Sequence, residues 1–105
     1  MGYATSHKLN VTGVNDTDII GQLRAENKEA RYALLPDGRS NEACNWYDHE
    51  KDMRAFSKKH PNVLFCMEGE GEESGDIWKE YYQNGLMQRC KAVITFEEFN
   101  SLELK

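Results

Sequence analysis

Between Glu68 and Asp76 the chain reads E-G-E-G-E-E-S-G-D and contains no basic residue. The imbalance is regional. Residues 1–67 hold nine acids and nine bases, whereas residues 68–105 hold nine acids against four bases, so the net charge of −5 belongs to the last third. A one-sided acidic field attracts basic partners and repels nucleic acid. Other absences narrow the class further. No apolar run approaches the roughly 20 residues of a membrane helix, and no basic-then-apolar leader opens the chain. The cysteines Cys44, Cys66 and Cys90 are odd in number, widely spaced and without a C-x-x-C pair. They read as reduced thiols in or near a sheet, in a reducing cytoplasm. None stands at metal-ligand spacing from His7, His49 or His60.

Catalytic signatures are missing as well. There is no P-loop, no G-x-G-x-x-G and no G-x-S-x-G, and the glycines at 69, 71 and 75 are flanked by acids that repel phosphate. The acidic run lacks the EF-hand pattern, although carboxylates at alternate positions suit an oxygen-loving divalent ion. No cleft is signalled for a general acid–base pair of carboxylates. The expectation is therefore a protein without enzymatic activity, cofactor or resident metal.

What the sequence does contain is a chain of short, well-punctuated elements. Tyr3 to Thr12 alternates, with His7, Leu9 and Val11 on one face of a strand. After Gly13, Asn15 or Asp16 caps a helix whose inner stripe is Ile19, Ile20, Leu23 and Asn27. Gly21 weakens that helix, and a close packing contact there is the expected reason for it. Arg31–Leu35 and Asn41–Tyr47 read as two strands joined by the turn Pro36-Asp37-Gly38. Asp48 caps a second helix with His49, Met53, Phe56 and His60 at i, i+4, i+7 and i+11, and Pro61 stops it. Val63 to Met67 is a near-continuous apolar run and reads as an interior strand. The glycine-spaced acidic segment that follows reads as a loop or a bulged strand end.

Asn84-Gly85 then predicts a type I′ hairpin between Ile77–Gln83 and Leu86–Phe96. That turn sets Tyr82 opposite Met87, Glu80 opposite Arg89 and Trp78 opposite Lys91. The resulting order is α+β: a ferredoxin-like split βαβ (β-α-β-β-α-β) with an extra C-terminal β-hairpin, and two helices on one face of an antiparallel sheet. Residues 1–99 form the single domain and 100–105 a tail.

Residues 46–65, W-Y-D-H-E-K-D-M-R-A-F-S-K-K-H-P-N-V-L-F, with residues 69–85, G-E-G-E-E-S-G-D-I-W-K-E-Y-Y-Q-N-G, resemble a group of small phage- and plasmid-borne proteins of bacteria, similar to the ferredoxin-like YubB-type proteins. The resemblance implies a ferredoxin-like fold, a mobile-element origin and a bacterial host cytoplasm. It supplies no catalytic residues. In size and charge the chain is also similar to anti-CRISPR inhibitors of RNA-guided nucleases.

On these grounds the expected function is that of an interaction protein acting as a nucleic-acid mimic. Glu68, Glu70, Glu72, Glu73 and Asp76 would occupy the basic nucleic-acid-binding surface of a host defence protein, with Trp78 and Tyr82 as aromatic anchors. No direct nucleic-acid partner and no membrane are expected, and the chain is read as a monomer or homodimer. Two alternatives stay open. One is an RNA- or DNA-binding module using an open sheet face and the bases Lys51, Arg54, Lys58 and Lys59. The other is a divalent-metal-binding regulator or small enzyme. Trp46-Tyr47 reads as a packed corner, or else as a partner anchor.

Overall fold

The structure, a computed structural model, describes residues 4–13, 16–93 and 95–104. Strands β1 (Thr5–Thr12), β2 (Leu64–Gly71), β3 (Ile77–Gln83) and β4 (Leu86–Lys91) form one antiparallel sheet in chain order. Helices α1 (Asp16–Glu26), α2 (Lys28–Ala33) and α3 (His49–Lys59) lie between β1 and β2 in the sequence. The chain is thus α+β, with alternate strand residues directed to opposite faces. On one face Leu9, Phe65, Met67, Trp78 and Tyr82 join Ile20, Leu23, Ala30, Met53 and Phe56 of the helices in a single core. Residues of the other parity, Lys8, Asn10, Lys79 and Gln88 among them, are exposed. Among the described residues no helix is long and apolar enough to cross a membrane.

The expected β-α-β-β-α-β order is not what forms. Residues 31–33, read as the start of a strand, belong to α2, and residues 41–47 contribute only an isolated bridge from Cys44 to Thr5. The reason lies at Asn27. Its side-chain oxygen accepts the Ala30 amide at 3.0 Å and caps α2. Ala30 and Ala33 are then fully buried, which only small residues on a closely packed helix permit. A cap and tertiary burial outweigh the strand preference of a short apolar run. The cap proposed at Asn15 and the strand start at Tyr3 lie outside the described residues.

The turn at Pro36-Asp37-Gly38 does form, with a different role. Gly38 has φ +89° and its carbonyl accepts the Leu9 amide at 2.8 Å. Together with the paired bonds between Thr5 and Cys44, this covers the outer edge of β1, a common defence against edge pairing. The acidic segment also differs from expectation: β2 continues through Gly69 to Gly71 without a break. Gly69 is required there. A Cβ at this position would lie 2.1 Å from a ring carbon of Trp78, which packs across it. Gly21, by contrast, has no close packing contact, because a Cβ there would meet nothing within 4 Å.

The C-terminal hairpin has the expected register. Tyr82 pairs with Met87, Glu80 with Arg89 and Trp78 with Lys91. Asn84 (φ 51°) and Gly85 (φ 80°) both adopt positive φ, as a type I′ turn requires. β4 ends at Lys91 rather than at Phe96, and Phe96 is 91% exposed. The tail carries a single 3-10 turn over Ser101–Glu103, capped by Asn100.

Candidate functional site

The register of β3 fixes the first feature of the site. Trp78, Glu80 and Tyr82 share the core-facing parity, so a carboxylate is carried into the interior between two aromatic rings. Glu80 is fully buried. Its Oε1 accepts from the Tyr82 hydroxyl at 2.5 Å and contacts His49 Nε2 at 2.8 Å. Its Oε2 lies 2.7 Å from Arg89 Nε, but that oxygen has no hydrogen bond; the contact is an ion pair whose N–H is not directed at the oxygen. A buried charge demands such partners, since the desolvation of an unpaired carboxylate costs several kcal/mol.

His49 is held at the start of α3. Its Nδ1 lies 3.2 Å from the Trp46 carbonyl and its Nε2 faces Glu80. Both neighbours are acceptors, an arrangement that only the imidazolium, with two N–H donors, satisfies in full. Burial would lower its pKa, but the Glu80 hydrogen bond and charge outweigh that and raise it. Burial would likewise raise Glu80, yet the hydrogen bonds from His49 and Tyr82, with the charges of His49 and Arg89, pull it below the usual carboxylate value. The Tyr82 phenol is pushed up by burial and by its carboxylate acceptor.

His7 of β1 is the counterpart. Its ring centre is 6.1 Å from that of His49, 5.7 Å from Trp46 and 6.2 Å from Trp78. It is 2% exposed, and its Nδ1 has no hydrogen-bond partner. Burial, then repulsion from His49, lowers its pKa to about 4, so the ring is neutral at physiological pH. Trp78 stacks on His49 at 5.3 Å, with the Arg89 guanidinium 5.3 Å from its ring centre.

His7, Trp46, His49 and Trp78 wall a cleft of about 340 Å³ whose lining also includes Asn45, Tyr47, Asp76, Arg89 and Lys91. On the other side of Tyr47 lies a smaller pocket of about 210 Å³, lined by Glu29, Asp48, Asp52, Asn45 and Trp46. Asp52 is positioned by two donors, Asn27 Nδ2 and Trp46 Nε1, each at 2.8 Å from one of its oxygens. The Trp46-Tyr47 pair is therefore split: Trp46 is 3% exposed and packs the corner, while Tyr47 is 81% exposed between the two openings.

The residues singled out from the sequence do not form one patch. Glu68 lies on the open sheet face, accepts from Asn10 at 2.9 Å and sits in register between Lys8 and Lys79. Glu70 is exposed, in register between Ser6 and Ile77. Glu72 and Glu73 are exposed in the β2–β3 connection, and Asp76 borders the cleft. Trp78 and Tyr82 are corrected to core residues. They are 9% and 0% exposed, because their parity is that of the helix-covered face, and Tyr82 presents nothing to a partner. Sequence reasoning did not bring His7, His49 and Glu80 together in a site, and it held Tyr47, with Trp46, only as an alternative anchor. The inward parity of His7 with Leu9, and of Glu80 with two aromatics, was the available signal. Among the described residues no group of three or more His, Cys, Asp or Glu is placed to hold a metal ion. No family model, curated protein or solved structure matches the chain.

Proposed function

We propose that this chain is a non-enzymatic interaction protein that meets a basic surface on its partner. The observation that carries this reading is the exposed ring of Tyr47 at the mouth of the smaller pocket, whose lining holds the carboxylates Glu29, Asp48 and Asp52 and no Lys or Arg. An aromatic anchor inside a charged rim is the usual anatomy of a protein interface. Tyr47 takes the anchoring role expected of Trp78 and Tyr82, and the exposed acids Glu70, Glu72 and Glu73 extend the negative field along the hairpin end. In this reading the partner surface is one that otherwise holds phosphates, as on an RNA-guided nuclease of a bacterial defence system.

The state of the titratable cluster supports the absence of catalysis. Both nitrogens of His49 are committed, and Glu80 is held by the contacts of His49 and Tyr82 to one oxygen and by the Arg89 ion pair at the other, so neither is poised to exchange a proton with a substrate. The alternative nucleic-acid module draws little from α3, where Arg54 pairs with Glu50 and Lys59 with Glu26. The test is a titration of the protein against an RNA-guided nuclease, with target DNA as competitor. Binding should weaken with salt, as screening of exposed charges over about 8 Å at physiological ionic strength requires. It should be lost in Tyr47→Ala and in the triple variant Glu70→Lys, Glu72→Lys, Glu73→Lys. Unchanged affinity in both variants removes this surface from consideration.

A further inference from the structure

The larger cleft has a chemistry of its own, unlike the acidic smaller pocket that also borders Tyr47. We propose that it is a binding site for a small planar anion of mononucleotide size, with a nucleoside monophosphate as the type ligand. Its volume of about 340 Å³ is within the range of small-molecule sites, roughly 300–1,000 Å³. The charges that face it come from three elements. His49 of α3 is cancelled by Glu80 beneath it. Arg89 and Lys91 of β4 then stand against the single carboxylate Asp76 at the β3 end. Arg89 faces Glu80 through its Nε, as an ion pair. Its two terminal amino groups hold no hydrogen-bond partner among the described residues, which leaves the fork that binds a phosphate in two-point fashion.

The remaining walls suit a ring that carries hydrogen-bonding groups. Tyr47 offers an exposed aromatic face, and stacking on such a face is tolerant of ring identity. Among the described residues, two of the three buried side-chain atoms left without a hydrogen bond, His7 Nδ1 and Asn45 Oδ1, belong to residues lining this cleft. Buried polar atoms without partners are rare in folded proteins and mark places where a water or ligand completes the set. The size limit on the ligand follows from charge. With a net −5 on the chain, a polyanion is repelled over its length, whereas one phosphate reaches Arg89 and Lys91 and extends no further.

Both tryptophans of the chain, Trp46 and Trp78, line the cleft, so intrinsic fluorescence reports on it directly. The experiment titrates the intact protein with AMP and UMP, with adenosine, with inorganic phosphate, and with a ten-residue oligothymidylate. The expected result is a saturable change with the mononucleotides at or below about 1 mM, and binding at least about tenfold weaker for adenosine and for phosphate alone. Lys91→Glu and Tyr47→Ala, both exposed, should each weaken the mononucleotide at least about fivefold with an unchanged melting curve. No saturable response to either mononucleotide by about 10 mM overturns the proposal. So does a response indifferent to both substitutions, or tighter binding of the oligonucleotide than of the mononucleotides. The nuclease titration of Glu70→Lys, Glu72→Lys, Glu73→Lys reads the protein interface independently, because those residues lie outside the cleft lining.

Discussion

Glu68 and Glu80 lie in neighbouring strands on opposite faces of the same sheet. Glu68, on the open face, has one amide donor and lysines in the adjacent strands. Glu80, on the covered face, is fully buried and collects His49, Tyr82 and Arg89. Strand parity alone makes one a replaceable surface charge and the other a structural ion. The contrast applies to whole faces. On the open face, Lys8, Glu68 and Lys79 form one cross-strand row of alternating charge, where each exposed pair contributes at most about 1 kcal/mol. On the covered face every polar group must find a partner or destabilise the fold.

The sharpest way to break that comparison is to neutralise both glutamates. Glu80→Gln leaves the His49 imidazolium and Arg89 without their counter-charge, and removing one partner of a buried ion pair costs about 3–5 kcal/mol. Glu68→Gln should stay within about 0.5 kcal/mol. Urea unfolding of the two variants, at constant m-value, measures the difference. Similar losses would mean that burial does not separate the two faces.

The next effect is a pH dependence set by the two histidines. His7 has a folded pKa of about 4, below its ordinary 6.5. Its contribution is complete above pH 6.5 and declines as pH falls toward 4, because only the unfolded chain takes up the proton. That difference corresponds to about 3 kcal/mol. His49 has the opposite sign. Its pKa is raised, so its contribution is complete below pH 6.5 and fades as pH rises through the folded value. Glu80, with a lowered pKa, adds stability above its ordinary 4.5 that is lost on further acidification. Stability should therefore fall on both sides of neutrality. His7→Leu should flatten the limb between pH 6.5 and 4 while leaving the alkaline limb in place. An unaltered acid limb would show that the burial of His7 is not its cause.

The sequence carried the register of the hairpin. Asn84-Gly85 fixed the turn, the turn fixed the register, and the register set Glu80 opposite Arg89 as observed. It also carried α1, α3 and the placement of β1. What it did not carry was depth. Whether the Trp78/Glu80/Tyr82 face meets helices or solvent depends on how the chain between β1 and β2 folds, and that depended on Asn27. As a cap it makes residues 28–33 a helix; as one more inner-stripe residue of α1 it left them free to be read as a strand. The misassigned central hairpin and the misplaced aromatic anchors share that origin, because a sheet with its helices misjudged has the wrong residues on its surface. The site suffered most, since His7, His49 and Glu80 are far apart in the chain and meet only when β1, α3 and β3 are packed.

The smallest expected effects come from one substitution made at two glycines. Gly69→Ala puts a methyl 2.1 Å from the Trp78 ring, within a β2 backbone paired on both sides. Neither element can withdraw, so overpacking should cost about 1–3 kcal/mol and disturb the Trp78 emission. Gly21→Ala puts the same methyl where nothing lies within 4 Å, in the interior of α1. There the alanine restricts the unfolded chain and favours the helix, which should stabilise by about 0.4–1 kcal/mol. For a domain of this size that is a rise of a few degrees in melting temperature, about 4 °C. A loss at Gly21 would reveal a constraint on α1 that its surroundings do not account for. Opposite signs for identical chemistry would show that local space decides whether removing glycine's flexibility helps or harms this fold.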